Sequence, residues 1–73
     1  MEQWSLPIYT FSEVLEYLKK GYKASRNAWY LGDYIYYDDD MKTICKKTNN
    51  SNSPWETPQM DLLAQDWLVI ESV

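Results

Sequence analysis

Residues 10–21 read "TFSEVLEYLKKG", and the rest of the fold is laid out around them. Thr10 and Glu13 have the T-x-x-E spacing of a capping box, in which each side chain satisfies a backbone N–H left unpaired at a helix start. Tyr9 and Val14 stand where a hydrophobic staple closes over that start. Phe11, Val14, Leu15 and Leu18 repeat at i, i+3, i+4 and i+7, which gives one apolar face. Lys19 and Lys20 complement the negative end of the helix, and Gly21 suits the left-handed residue that follows it. The pattern predicts a helix over residues 11–20.

Downstream, "YKASR" (22–26) predicts a short strand with Tyr22 and Ala24 on one face. "NAWYLGD" (27–33) is a turn region, broken at Gly32-Asp33. "YIYY" (34–37) and "TICKK" (43–47) have the β-branched and aromatic content of two strands. Asp38, Asp39 and Asp40, with Met41 and Lys42, then form the charged tip of a hairpin. "TNNSNSP" (48–54) has no structural period and predicts a polar loop. Thr57 before Pro58 predicts an N-cap and first position of a second, short helix. Met60, Leu63 and Ala64 are expected to face the core, and Leu62 and Trp67 to help hold the fold. "WLVIES" (67–72) is a near-continuous apolar strand. The expected architecture is α+β: a small, mostly antiparallel sheet with an N-terminal helix and a short second helix on one side. Residues 1–73 make a single domain.

Composition narrows the function. A chain of 73 residues buries only about 60% of its unfolded surface. Cys45 is the only cysteine, so an internal disulfide is impossible, and with no histidine the chain lacks the donors of a zinc site. Self-association is the remaining route to a larger core. Four Trp, seven Tyr and one Phe are more aromatics than so small a core hides, and surplus aromatics mark a partner or ligand surface. Eleven acids against seven bases argue against binding along a phosphate backbone, so no nucleic acid is expected. No apolar run is long enough to span a membrane, and no basic-then-apolar N-terminus suggests a signal peptide. The lone cysteine and absent signal favour the cytoplasm.

Enzyme chemistry finds little support. Histidine, the usual acid–base group, is missing. Cys45 has no base near it in sequence, and no catalytic residue is assigned. Asp61 and Asp66 could form a carboxylate pair, but each has a simpler use in capping and turn bonds. The acidic triplet lacks the glycine and distal glutamate of an EF-hand loop. No metal site and no cofactor are expected, and with only Gly21 and Gly32 there is no phosphate-cradling glycine loop.

"SRNAWY" (25–30) is the segment with ligand-binding chemistry. Arg26, the only arginine, offers a rigid fork suited to phosphate. Asn27 can read a hydroxyl or base edge, and Trp29 or Tyr30 can stack on the base of a nucleotide. The plainer alternative is that Trp29 belongs to the core and Arg26 pairs with Asp61 or Asp66.

Two stretches resemble a known family. "FSEVLEYLKKGYKASRNAW" (11–29) is similar to the opening of the second group of phage anti-Thoeris proteins. "PWETPQMDLLAQDWLVIE" (54–71) resembles that family's closing signature, with Trp55, Asp61, Leu62, Leu63, Ala64, Asp66 and Trp67 in place. The two matches cover about half the chain, in order, at both ends. Ala28 stands where the family usually has glycine, and the middle is shorter, so no site residue is carried over from it. The resemblance implies a sponge. Such proteins bind the signal of the bacterial Thoeris defence, 1″–3′ glycocyclic ADP-ribose, without degrading it, so that the effector enzyme stays off. They act in the host bacterial cytoplasm as homotetramers, with ligand held between protomers. Trp55, Thr57, Gln59 and Asp61 are then expected to form the wall opposite Arg26, Asn27, Trp29 and Tyr30. Two rivals stand beside this expectation, an inhibitor that docks on a host enzyme and an enzyme that opens the cyclic signal; a sponge for a different cyclic nucleotide is a variant of the expectation itself.

Overall fold

The computed structural model describes residues 3–30 and 32–72. In chain order they form β1 (Gln3–Trp4), α1 (Phe11–Lys19), β2 (Ala24–Arg26), β3 (Tyr34–Asp38), β4 (Thr43–Lys47), β5 (Asn52–Pro54), α2 (Gln59–Leu63) and β6 (Trp67–Ser72). The sheet runs β1-β6-β2-β3-β4-β5, and all neighbours are antiparallel. Five strands make its body, and the two-residue β1 extends the β6 edge. This is the α+β class with two helices, as the sequence predicts.

Helix α1 forms as its caps dictate. The Thr10 N–H donates to Glu13 Oε1 at 2.9 Å, and the Glu13 N–H donates to Thr10 Oγ1 at 3.4 Å. At the other end Gly21 takes φ +94°. Its N–H donates to Leu18 O at 3.0 Å, and the Tyr22 N–H reaches back to Tyr17 O at 3.1 Å. That is the double bond of a Schellman cap. The Tyr17 and Tyr22 rings close over it edge-on, 5.7 Å apart. Tyr22 therefore belongs to the cap and not to a strand, which begins only at Ala24. A Cβ on Gly21 would meet nothing within 4 Å, so Gly21→Ala isolates the backbone cost of a left-handed residue. A loss of about 1 kcal/mol is expected in urea melts; an unchanged midpoint would contradict this cap.

Strand pairing sorts residues between two faces. Ala24 opposite Val69 and Arg26 opposite Trp67 share one face. Val14 and Leu18 of α1 pack there with Ala24, Ile35, Trp67 and Val69 to form the core. The other face carries Ser25 opposite Leu68, Tyr34 opposite Lys47, and Tyr36 opposite Cys45. Strands β2 and β3 are joined by one register pair, Ala24 with Ile35. Beyond it the chains part, and the Ser25 hydroxyl donates to Asp33 O at 2.7 Å in place of a ladder bond.

Several expectations are corrected. The polar stretch 48–54 contains β5, paired along β4 through Cys45–Pro54, Lys46–Ser53 and Lys47–Asn52. An edge strand of this kind is held by backbone bonds and needs no apolar side chains, and it tolerates a proline. Thr57 is not the cap of α2. That place falls to Pro58, in extended backbone and with no side-chain cap bond. Met60, Leu62 and Leu63 are 78%, 43% and 72% exposed, so they do not hold the core. A five-residue helix turns few positions inward, and here the buried one is Asp61. Ala64 does pack against the core, as expected.

Candidate functional site

Arg26 ends β2 on the helix-bearing face, where an unpaired cation would be costly. Two acids meet it. Its Nε donates to Asp66 Oδ1 at 2.8 Å, and its Nη1 donates to Asp61 Oδ1 at 2.7 Å. The Asp66 bond is the main reason the guanidinium pKa is raised; burial pulls the other way, and Asp61 adds to the rise. The backbone tightens the same knot. The Asn27 N–H donates to Asp66 O at 3.2 Å, and the Trp67 indole Nε1 donates to Asp61 O at 2.9 Å. Arg26 thus ties α2 to β2 and β6. Two of its donors are spent on carboxylates, and the cluster of one cation and two anions is a poor receptor for a diphosphate. The plainer alternative for Arg26 is what the geometry shows.

Trp67 is the hub of an aromatic cluster. Its ring centroid lies 5.4 Å from Phe11, 5.3 Å from Trp29 and 6.0 Å from Trp55. Trp29 and Trp55 also meet edge-on at 6.0 Å. Both are half-buried against the core. Lys46 Nζ stands 4.0 Å from the Trp29 centroid, so one ring face of Trp29 already holds a cation. Nothing in the sequence pattern signalled that contact, since Lys46 lies on β4.

Beside this cluster a groove of about 260 Å³ opens at the end of β2. Arg26, Asn27, Trp29 and Tyr30 line it, with Ser25 and Asp33. The structure therefore brings together the four residues predicted from "SRNAWY". Asn27 is exposed, and Tyr30 is 85% exposed, so its ring is open to a planar ligand. Ser25 and Asp33 were missed because only the parting of β2 from β3 places them here. The expected opposite wall is absent from the groove's lining within one protomer. Trp55 lies in the aromatic cluster, Asp61 is held by Arg26, and Thr57 and Gln59 are exposed at the start of α2.

Among the described residues no three His, Cys, Asp or Glu side chains gather to hold a metal ion. Cys45 is buried and unbridged. No described helix is long and apolar enough to cross a membrane.

The family model of the Thoeris anti-defense 2-like domain matches residues 9–70. The chain belongs to this family. The match runs from the bridge of Tyr9 with Trp67 to the buried Ile70, and it includes the groove, the Arg26 knot and the aromatic cluster. The Thoeris anti-defense 2-like family name gives the chain its broad role, opposition to the Thoeris defence. No curated protein matches the chain.

Proposed function

We propose that this family member is a sponge, which binds 1″–3′ glycocyclic ADP-ribose without breaking it and so keeps the Thoeris effector off. The observation that carries the reading is the groove at Asn27, Trp29 and Tyr30, inside the family domain and equipped for a base and a hydroxyl. The chain has no histidine to act as acid or base. The signal is sequestered in the host bacterial cytoplasm, and no cofactor takes part.

Size bears on how the ligand is held. A ligand of roughly 35 heavy atoms at about −0.3 kcal/mol per atom reaches on the order of −10 kcal/mol when most of its surface is covered. One groove of about 260 Å³ falls below the usual range for such ligands, roughly 300–1,000 Å³. A second protomer closing over the groove would supply the missing wall, with Thr57 and Gln59 as the residues to come from it. The exposed Met60, Leu62 and Leu63, together with Leu6 and Ile8, provide apolar surface for a homotetramer. Native mass spectrometry is expected to give multiples of 8.7 kDa; a stable monomer would remove the shared pocket.

Tyr30→Ala tests the site itself. Stacking of one base on one ring contributes about 1–3 kcal/mol, so calorimetry should show roughly a tenfold or greater loss of affinity with the melting midpoint unchanged. Wild-type affinity would take Tyr30 out of the site. The same exposed apolar residues favour a second reading, an inhibitor that docks on a host protein; it binds no nucleotide.

A further inference from the structure

We infer that Asp33 sets the specificity of the groove: its carboxylate accepts a hydrogen bond from the 2′-hydroxyl of a ribose whose base lies on Tyr30. This rests on the sponge reading and deepens it, because the groove then takes the nucleoside half of the ligand and leaves the diphosphate outside. The observation behind it is a buried acid with nothing to hold. Asp33 is only 9% exposed and lines the groove. Its backbone is fixed on both sides. The Asp33 N–H donates to Tyr30 O at 3.1 Å, and Asp33 O accepts from the Ser25 hydroxyl at 2.7 Å. Its carboxylate has no hydrogen bond and no ion pair among the described residues.

Holding a carboxylate out of water without a partner is costly, and a core of this size has little stability in reserve. Among the described residues no unpartnered side-chain oxygen or nitrogen is wholly sealed from solvent. The carboxylate therefore keeps a narrow opening, and the groove is the opening that Asp33 lines. A carboxylate only accepts, so its partner must bring a donor. Ser25 makes the same demand, since its proton is committed to Asp33 O and its oxygen is left to accept. Charge turns the phosphates away. Arg26 is the one cation lining the groove among the described residues, and Asp66 and Asp61 already balance it. Asp33 then leaves the groove negative. Its neighbours select the donor. Tyr30 offers an open ring to a base, and Asn27 an exposed amide to the edge of that base, so the attached sugar is the donor within reach. Carboxylates read the ribose 2′-hydroxyl in the same way in dinucleotide-binding folds. In the 1″–3′ cyclic signal the 3′ oxygen is tied into the ring, and the 2′-hydroxyl is free to donate.

The test is calorimetry of the intact protein with adenosine and with 2′-deoxyadenosine. The wild type should bind adenosine at least about tenfold more tightly, the worth of a hydrogen bond to a charged group. Asp33→Ala should bind the two alike, and Asp33→Asn should melt no earlier than the wild type, because it removes a charge that has no partner in the fold. Equal affinities in the wild type, no binding of adenosine, or a ribose preference that survives in Asp33→Ala would overturn the inference. So would a midpoint lowered in Asp33→Asn, which would make the carboxylate a partner in the fold or in an assembly of copies. If any of these occurs in a protein that still retains the cyclic signal, the sponge reading stands without Asp33. If adenosine is preferred through Asp33 and the cyclic signal is not retained, the nucleoside site stands and the sponge reading fails.

Discussion

Trp67→Ala is expected to leave the chain unfolded at room temperature. The side chain is fully buried and touches Phe11, Trp29 and Trp55 through its ring. Its indole N–H also satisfies Asp61 O, the carbonyl of the buried residue of α2. Removing a core tryptophan costs about 3–5 kcal/mol, and a core this small supplies about 3–5 kcal/mol in all. The two figures are equal within their range, so little or no folded population should remain. Far-ultraviolet circular dichroism against urea checks this. A variant that melts like the wild type would show that Trp67 is not the hub of the core.

Arg26→Ala is expected to destabilise the domain by about 3 kcal/mol, whatever it does to a ligand. Removing one partner of a buried ion pair leaves the other charge uncompensated, at a cost of about 3–5 kcal/mol. The lower end applies here: Asp61 is only 11% exposed, but the Asp66 side chain is 34% exposed and keeps part of its hydration when unpaired. Urea melts should show the loss. Joint replacement, Arg26→Met with Asp61→Leu, should recover part of it; a single variant as stable as wild type would show the knot to be idle. The pH dependence has a definite sign. A guanidinium whose folded pKa is raised contributes stability that is fully present below its unfolded pKa and lost only as pH rises through the folded value, at strongly alkaline pH. Lost ligand binding in Arg26→Ala would therefore mix site and fold. Tyr30 is a cleaner probe, since its side chain is exposed.

Particular residues show where sequence reasoning reached and where it stopped. Helix α1 was legible because its signals are local and agree: capping box, apolar stripe and Gly21 all mark the same bounds. The hairpin of β3 and β4 was legible for the same reason. Strand β5 was not, because Asn52, Ser53 and Pro54 are held by pairing with β4, and that pairing leaves no mark in their own composition. The spacing in α2 fitted either face. Arg26 settled it by drawing Asp61 inward, which turns Met60 and Leu63 outward. The groove of Arg26, Asn27, Trp29 and Tyr30 was legible because the four lie within five consecutive residues. The alignment of Tyr34, Lys47 and Asn52 across β3, β4 and β5 was not, because only strand register brings residues of three separate segments side by side.

The most direct test of the sponge is bind-and-release. The folded protein is mixed with 1″–3′ glycocyclic ADP-ribose, filtered and washed, and the retained fraction is heat-denatured for mass spectrometry. The expected result is that the ligand stays with the protein and is released intact, at its original mass. Two outcomes would contradict the account: a product of different mass, which would make the protein an enzyme, or ligand that passes through the filter unretained.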